Sequence, residues 1–174
     1  MTRTLDLLGL LVLAGALALG SCAGQDSSGT PASADTAAVL GTVEFGLVVE
    51  QDPAPGVATG DYPHWDAGGE WAVPHEPIWT LEQPLLSCRV AEALRSIDAL
   101  GFPAADVTLV PADGEVFAEF TERIVGRRLA VLVDGKVVLA PTVSQPLTGR
   151  FELSGRFSEE DVSRLLERLR SPGR

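Results

Sequence analysis

Residues 129–141 read LAVLVDGKVVLAP: two apolar runs joined by Asp134-Gly135 and ended by proline. Asp-Gly is a favoured pair for the two-residue turn of a β-hairpin, because both central residues need positive φ; residues 128–133 and 136–140 are therefore read as paired strands. Neither arm alternates apolar with polar residues. Continuous apolar character in both strands implies that the hairpin is covered on both faces, or nearly so. Pro141 lacks a ladder donor and helps to end the second arm.

The chain around this hairpin has 174 residues, 45% of them hydrophobic and 21% charged, which is globular in composition and allows one modest domain after processing. Residues 1–21 have the form of a signal peptide, with Arg3 in a short polar start, an apolar run over 7–19 and small residues before Cys22. As a helix that run covers about 20 Å, against the ~30 Å of a bilayer core, so it is not read as a permanent span. Its end, Leu19-Gly20-Ser21-Cys22, resembles the bacterial lipobox, which implies a lipidated Cys22 at the mature N-terminus. Several acyl chains exceed the single chain that binds only marginally, so membrane attachment by the lipid is expected. Residues 22–38 carry Ser, Gly, Ala, Thr and Asp without a large apolar side chain and are read as a flexible tether. Cys88 is then left without a partner and is expected to be a small buried hydrophobe.

The domain is placed at 39–174, with a strand and an acidic, Pro/Gly-rich loop region over 39–88 and a core over 89–174. In the first strand Val43, Phe45, Leu47 and Val49 are expected on one side. From residue 51 to 77 proline and glycine interrupt the chain repeatedly, so a long loop region is expected, with room for a short hairpin. Residues 85–102 are ambiguous. Val90, Leu94 and Ile97 have helical spacing, which periodicity slightly favours, whereas Ala93, Arg95, Ile97 and Ala99 suit one face of a strand. Residues 105–110 read as a strand, residues 113–126 as a helix capped by Asp113 with Val116, Phe117, Phe120 and Ile124 as its stripe, and Gly126 suits the left-handed position at its end. A strand with Phe151 and Leu153 inward follows, then a last helix in which Ser158 caps, Asp161 takes the capping-box position, and Val162, Leu165, Leu166 and Leu169 form the buried face.

Taken together, residues 117–169 resemble the head subdomain of the first large extracytoplasmic domain of SecD, an accessory subunit of the bacterial Sec translocase. Phe117 and Thr121 match its helix signature, Gly126 to Ala130 its entry to the hairpin, and Asp134-Gly135 the turn. Ala140-Pro141 matches its exit, Gly155 and Phe157 its Gly-x-Phe step, and residues 158–161 its acidic cap. Upstream, VEFGLVVE and Gln83-Pro84-Leu85-Leu86 are similar to the start of the same region. The resemblance implies an α+β fold, a small mixed or antiparallel sheet with two helices packed on one face, and a strand rather than a helix over 90–97. It gives Thr121, Gly126, Asp134, Gly135, Pro141, Gly155 and Phe157 structural parts, and it implies partners among Sec translocase components or exported polypeptides. SecD carries membrane helices that couple export to the proton gradient; none is expected here beyond the signal, so that coupling is not expected of this chain alone.

Three functional readings follow. The first is a non-catalytic, lipid-anchored, extracytoplasmic binding module of the SecD-head kind, linked to protein export. The second uses the acidic aromatic segment as a ligand site, with Tyr62, Trp65, Trp71 and Trp79 facing a peptide or glycan. His64, His75, Asp61, Asp66, Glu70 and Glu76 share that segment, but their spacing matches no compact metal motif, and no metal or cofactor is expected. The third is an enzyme, for which no nucleophile elbow, phosphate loop, zinc-protease or dithiol motif is present. A net charge of -11 together with an export signal disfavours nucleic acid. Every Lys or Arg except Arg3 lies from Arg89 onward, so charge is polarised along the sequence, whether or not the acidic segment folds over the basic half.

Overall fold

The computed structural model describes residues 39–51, 53–65, 78–155 and 157–171. The signal peptide, Cys22, the tether, Trp71 and His75, and the carboxylates Asp66, Glu70 and Glu76 lie outside the described residues.

Ten elements follow one another: β1 (Gly41–Leu47), β2 (Thr59–Pro63), β3 (Ile78–Glu82), β4 (Leu86–Ile97), β5 (Pro103–Leu109), α1 (Pro111–Arg123), β6 (Leu129–Val133), β7 (Lys136–Leu139), β8 (Arg150–Leu153) and α2 (Glu159–Arg170). Six strands form one sheet in the order β7-β6-β1-β4-β5-β8, antiparallel at every pairing. Both helices pack on one face of it, the α+β arrangement expected.

The apolar hairpin is explained by what lies above and below. All five residues of β6 are buried. Leu129, Val131 and Val133 join the helix-side core, while Ala130 and Leu132 face a second cluster with Val48, Trp79, Leu81 and Val137. The second cluster is closed by the β2–β3 hairpin, whose strands pair with each other, lie against β1 and β7, and are joined to the chain after β1 by a bridge between Val48 and Leu81. At the turn, Asp134 and Gly135 have φ of 50° and 70°, the double positive φ of a type I′ turn.

On the helix side, Phe45 of β1, Phe117 of α1 and Phe151 of β8 form an aromatic trio with ring centroids 4.4 to 5.6 Å apart. This ties the first strand, the first helix and the last strand into one core, with tilted and edge contacts that suit the ring quadrupoles. Helix α2 adds Val162, Leu165, Leu166 and Leu169, all buried, and its N-terminus carries the expected reciprocal box between Ser158 and Asp161.

Three expectations are corrected. Residues 86–97 form strand β4, and of the three residues at helical spacing only Val90 is buried, while Leu94 and Ile97 face out. Cys88 and Val90 alternate inward, a bulge follows between Val90 and Glu92, and the next inward residue is Ala93. Helix α1 begins at Pro111 without a side-chain cap, because Asp113 is turned to the main-chain N–H and guanidinium of Arg89 at 2.6 to 3.0 Å. Its buried stripe is Gly114, Phe117 and Thr121, followed by Ile124, while Val116 faces out.

Candidate functional site

Thr121, Gly126 and Pro141 hold the long connection from β7 to β8 in place. Thr121 is fully buried on α1, and its hydroxyl accepts from the Leu147 N–H at 3.0 Å while lying 3.1 Å from the Ala118 carbonyl and 3.3 Å from that of Leu147. Gly126, at φ 87°, donates its N–H to the Val143 carbonyl, and the Pro141 carbonyl accepts from Leu129. Gly155 lies against the Phe157 ring, which packs on the helix-side core. Asp134 receives Arg168 of α2 at 2.8 Å, so the hairpin turn is also pinned to the last helix.

Two glycines that sequence reasoning passed over shape the surface next to Thr121. A Cβ on Gly149 would stand 2.8 Å from the Gly114 Cα, and one on Gly114 would stand 3.0 Å from that of Gly149. Only glycine lets α1 and the residue entering β8 approach so closely. Beside this contact lies a shallow groove of about 390 Å³ lined by Thr108 and Leu109, by Pro111, Gly114, Glu115 and Ala118 of α1, and by Thr148 and Gly149. Its walls are mainly small or apolar, with Glu115 the one charged group among them. The groove ends where β8 begins, and among the described residues no strand pairs with the outer edge of β8. An edge of this kind offers unpaired main-chain donors and acceptors to an extended chain.

The aromatic segment has a different place. Trp79 is buried in the second cluster with the Arg128 guanidinium 4.6 Å from its ring, and Trp65 is buried in the helix-side core, its main-chain N–H bonded to the Val137 carbonyl along the outer edge of β7. Tyr62 is half-buried against the second cluster, its hydroxyl accepting from Gln83 Nε2 at 2.8 Å. Open ring faces at Trp65 and Trp79 are therefore not found: both rings fasten the β2–β3 layer and its continuation to the sheet. The nearby carboxylates behave alike, with Glu82 on Arg127 at 2.5 Å and Glu50 3.7 Å from Arg128, so part of the acidic segment does fold against basic residues.

Cys88 is buried in β4 beneath α1 and α2. Burial pushes its thiol up to about 11, and the Asp113 carboxylate acts in the same direction, which keeps sulfur protonated and unreactive at neutral pH. Arg89 acts oppositely on Asp113: its hydrogen bonds hold that carboxyl below the ordinary range. Among the described residues there is no group of three or more His, Cys, Asp or Glu side chains placed to hold a metal, and no helix long and apolar enough to cross a membrane.

A clamped connection, a glycine contact and a sheet of this order are features that a relative should share. The family model for the SecDF P1 head subdomain matches residues 73–172. The chain belongs to that family. The SecD head also appears among full-length relatives: the protein translocase subunit SecD of Aquifex aeolicus is 36% identical over 75 residues, 43% of this chain and 15% of that protein. SecDF of Thermus thermophilus is 36% identical over 93 residues, 52% of this chain and 13% of that protein. The chain thus corresponds to a small part of the length of these translocase subunits. Among solved structures, a SecDF chain described as a membrane component that enhances protein export superposes with a TM-score of 0.56 at 26% identity, over 78% of this chain and 64% of that one.

Proposed function

We propose that this protein is a non-catalytic, extracytoplasmic binding module of the SecD-head kind, held to a membrane by lipid on Cys22, which meets exported polypeptides or the translocase that delivers them. The family match over 73–172 carries the reading, since it spans β3 to α2 and so includes both helices, the clamped connection and the groove. The groove beside Gly114 and Ala118, with the unpaired edge of β8 next to it, suits an extended chain better than a compact ligand. Among the described residues the thiol of Cys88 is buried and protonated, which argues against its acting on a bound chain.

Photo-crosslinking in the envelope tests this. A benzophenone side chain at Ala118, in the groove, is expected to capture translocase subunits or nascent exported chains, and the same group at Lys136, on the hairpin turn, to capture markedly less. Equal or absent capture at both positions in a folded, exported protein would remove the reading.

A further inference from the structure

The groove beside Gly114 and Gly149 is bordered by charge of one sign. On α1, Glu115, Ala118, Glu119 and Glu122 fall at i, i+3, i+4 and i+7 and so share one side of the helix, the side from which Glu115 and Ala118 line the groove. All three glutamates are exposed. Every ion pair among the described residues ends on some other carboxylate. Arg123, the one cation of α1, turns its Nε to the Glu119 main-chain carbonyl at 3.2 Å. The net charge of -11 on the chain adds to the negative potential of this side and does not offset it.

The strand edge next to the groove has a defined set of outward main-chain groups. The Leu109 N–H donates to the Gly149 carbonyl at 2.7 Å, and the register continues with Thr108 opposite Arg150, Val107 opposite Phe151 and Asp106 opposite Glu152. Residues of an antiparallel pair alternate between bonded and unbonded positions. Phe151 and Leu153 therefore turn their main-chain groups to β5, while Arg150 and Glu152 turn theirs outward. The Arg150 carbonyl accepts from the Thr148 hydroxyl at 3.3 Å and, like any carbonyl, has a second lone pair. Phe151 and Leu153 carry their side chains into the helix-side core, so those of Arg150 and Glu152 lie on the opposite face, where the Arg150 guanidinium meets Asp106 at 3.2 Å. The Arg150 charge is thereby engaged on the sheet face away from α1.

We propose that the groove and the edge of β8 select extended polypeptide segments that carry lysine or arginine beside small apolar residues. This rests on the reading of the groove as a chain-binding site. The main chain of the segment pairs with the outward groups of Arg150 and Glu152 as an added strand. Every second side chain of that strand faces α1. The one over Gly114, Ala118 and Gly149 is small and apolar, because the groove is shallow and its walls lack side-chain bulk. A neighbour two places along carries the positive charge that Glu115, Glu119 and Glu122 attract. Acidic segments are repelled by the same three carboxylates, so the site discriminates by sign as well as by backbone shape.

The test uses the full chain and three fluorescent Ala/Thr peptides, identical except that four positions, two on each face of the extended peptide, hold Lys, Gln or Glu. Two cations then face α1 in either orientation. At roughly two- to fivefold per exposed ion pair, the Lys peptide is expected to bind about tenfold more tightly than the Gln peptide, with the Glu peptide weakest and the differences shrinking at high salt. Combining Glu115→Gln, Glu119→Gln and Glu122→Gln should bring the Lys peptide to the affinity of the Gln peptide. With the Lys peptide at about ten times its Kd, amide exchange at Arg150 and Glu152 should slow by about tenfold, as occupancy of the edge requires. Equal affinity for all three peptides, with Arg150 and Glu152 protected, overturns selection by charge while leaving the groove as a chain-binding site. A preference for Lys without protection at those two amides assigns the attraction to surface charge away from the edge and also overturns the proposal. Binding of none of the peptides overturns it as well, and crosslinking at Ala118 then judges the groove reading separately.

Discussion

Replacing Thr121 by valine isolates the clamp between α1 and the β7–β8 connection. The two side chains have nearly the same shape, so no cavity opens, and the only chemical loss is a hydroxyl that is fully buried. That hydroxyl accepts from the Leu147 N–H at 3.0 Å. Orphaning a buried donor costs about 1–3 kcal/mol. The added methyl returns up to about 0.8 kcal/mol. A net loss of about 1–2 kcal/mol is expected. Equilibrium unfolding in urea, followed through Trp65 and Trp79, should show a lower midpoint with an unchanged slope, because the area exposed on unfolding does not change. Amide exchange at Leu147 gives the local readout: its protection should fall by about tenfold or more, as a loss of this size implies. Thr121→Ser keeps the hydrogen bonds and loses a methyl, so it should destabilise to a similar degree while Leu147 stays protected. A valine variant with wild-type midpoint and wild-type exchange at Leu147 would refute the clamp.

Other perturbations address the glycine contact and the two shifted groups. Gly149→Ala forces a Cβ to 2.8 Å from the Gly114 backbone and should cost about 1–3 kcal/mol, seen as a lower melting temperature. Gly114→Ala meets a similar contact at 3.0 Å but regains about 1 kcal/mol of helix preference, so it should be the milder change; stabilisation by both would mean that helix and connection do not touch. Arg89 lowers the folded-state pKa of Asp113, so that interaction is present above the unfolded value of about 4 and is lost as pH falls through the folded value; Asp113→Asn should flatten the acid limb of a stability–pH curve, and an unaltered limb would contradict the pairing. Cys88 keeps its proton in the folded state up to about 11, against 9.0 for the ordinary thiol. The unfolded chain therefore binds fewer protons between those values, and stability should decline there with rising pH, by at most about 1.4 kcal/mol per pH unit. Cys88→Ala should remove that decline.

Local chemistry made much of this fold readable. An Asp-Gly pair between Val-rich arms, a Ser-x-x-Asp box ahead of a leucine stripe and a glycine after a helix each rest on interactions within a few residues, and each is found where the spacing placed it. What escaped depends on contacts distant in sequence. Val90, Leu94 and Ile97 share a helical phase, but pairing with β1 and β5 makes their segment a strand in which only Val90 of the three is buried. Asp113 was expected to cap because aspartate at a helix start usually does, but Arg89, 24 residues earlier, offers a main-chain donor and a bidentate guanidinium. Nor does any local signal mark Gly114 and Gly149 as partners. A glycine inside a helix sequence costs about 1 kcal/mol against alanine, and that cost was the available hint that something packs against it.

The aromatic, acidic segment shows why a cluster of ligand-type residues is weak evidence of a ligand. A strand that is apolar on both sides needs cover on both sides, and the helices provide it on only one. Thr59–Pro63 and Ile78–Glu82 supply the rest through Tyr62, Trp79 and Leu81, while Glu82 and Glu50 meet Arg127 and Arg128 at the end of the covered hairpin. The rings described there and these two carboxylates are engaged within the fold, and Arg128 lies over the Trp79 face that a sugar or peptide would need.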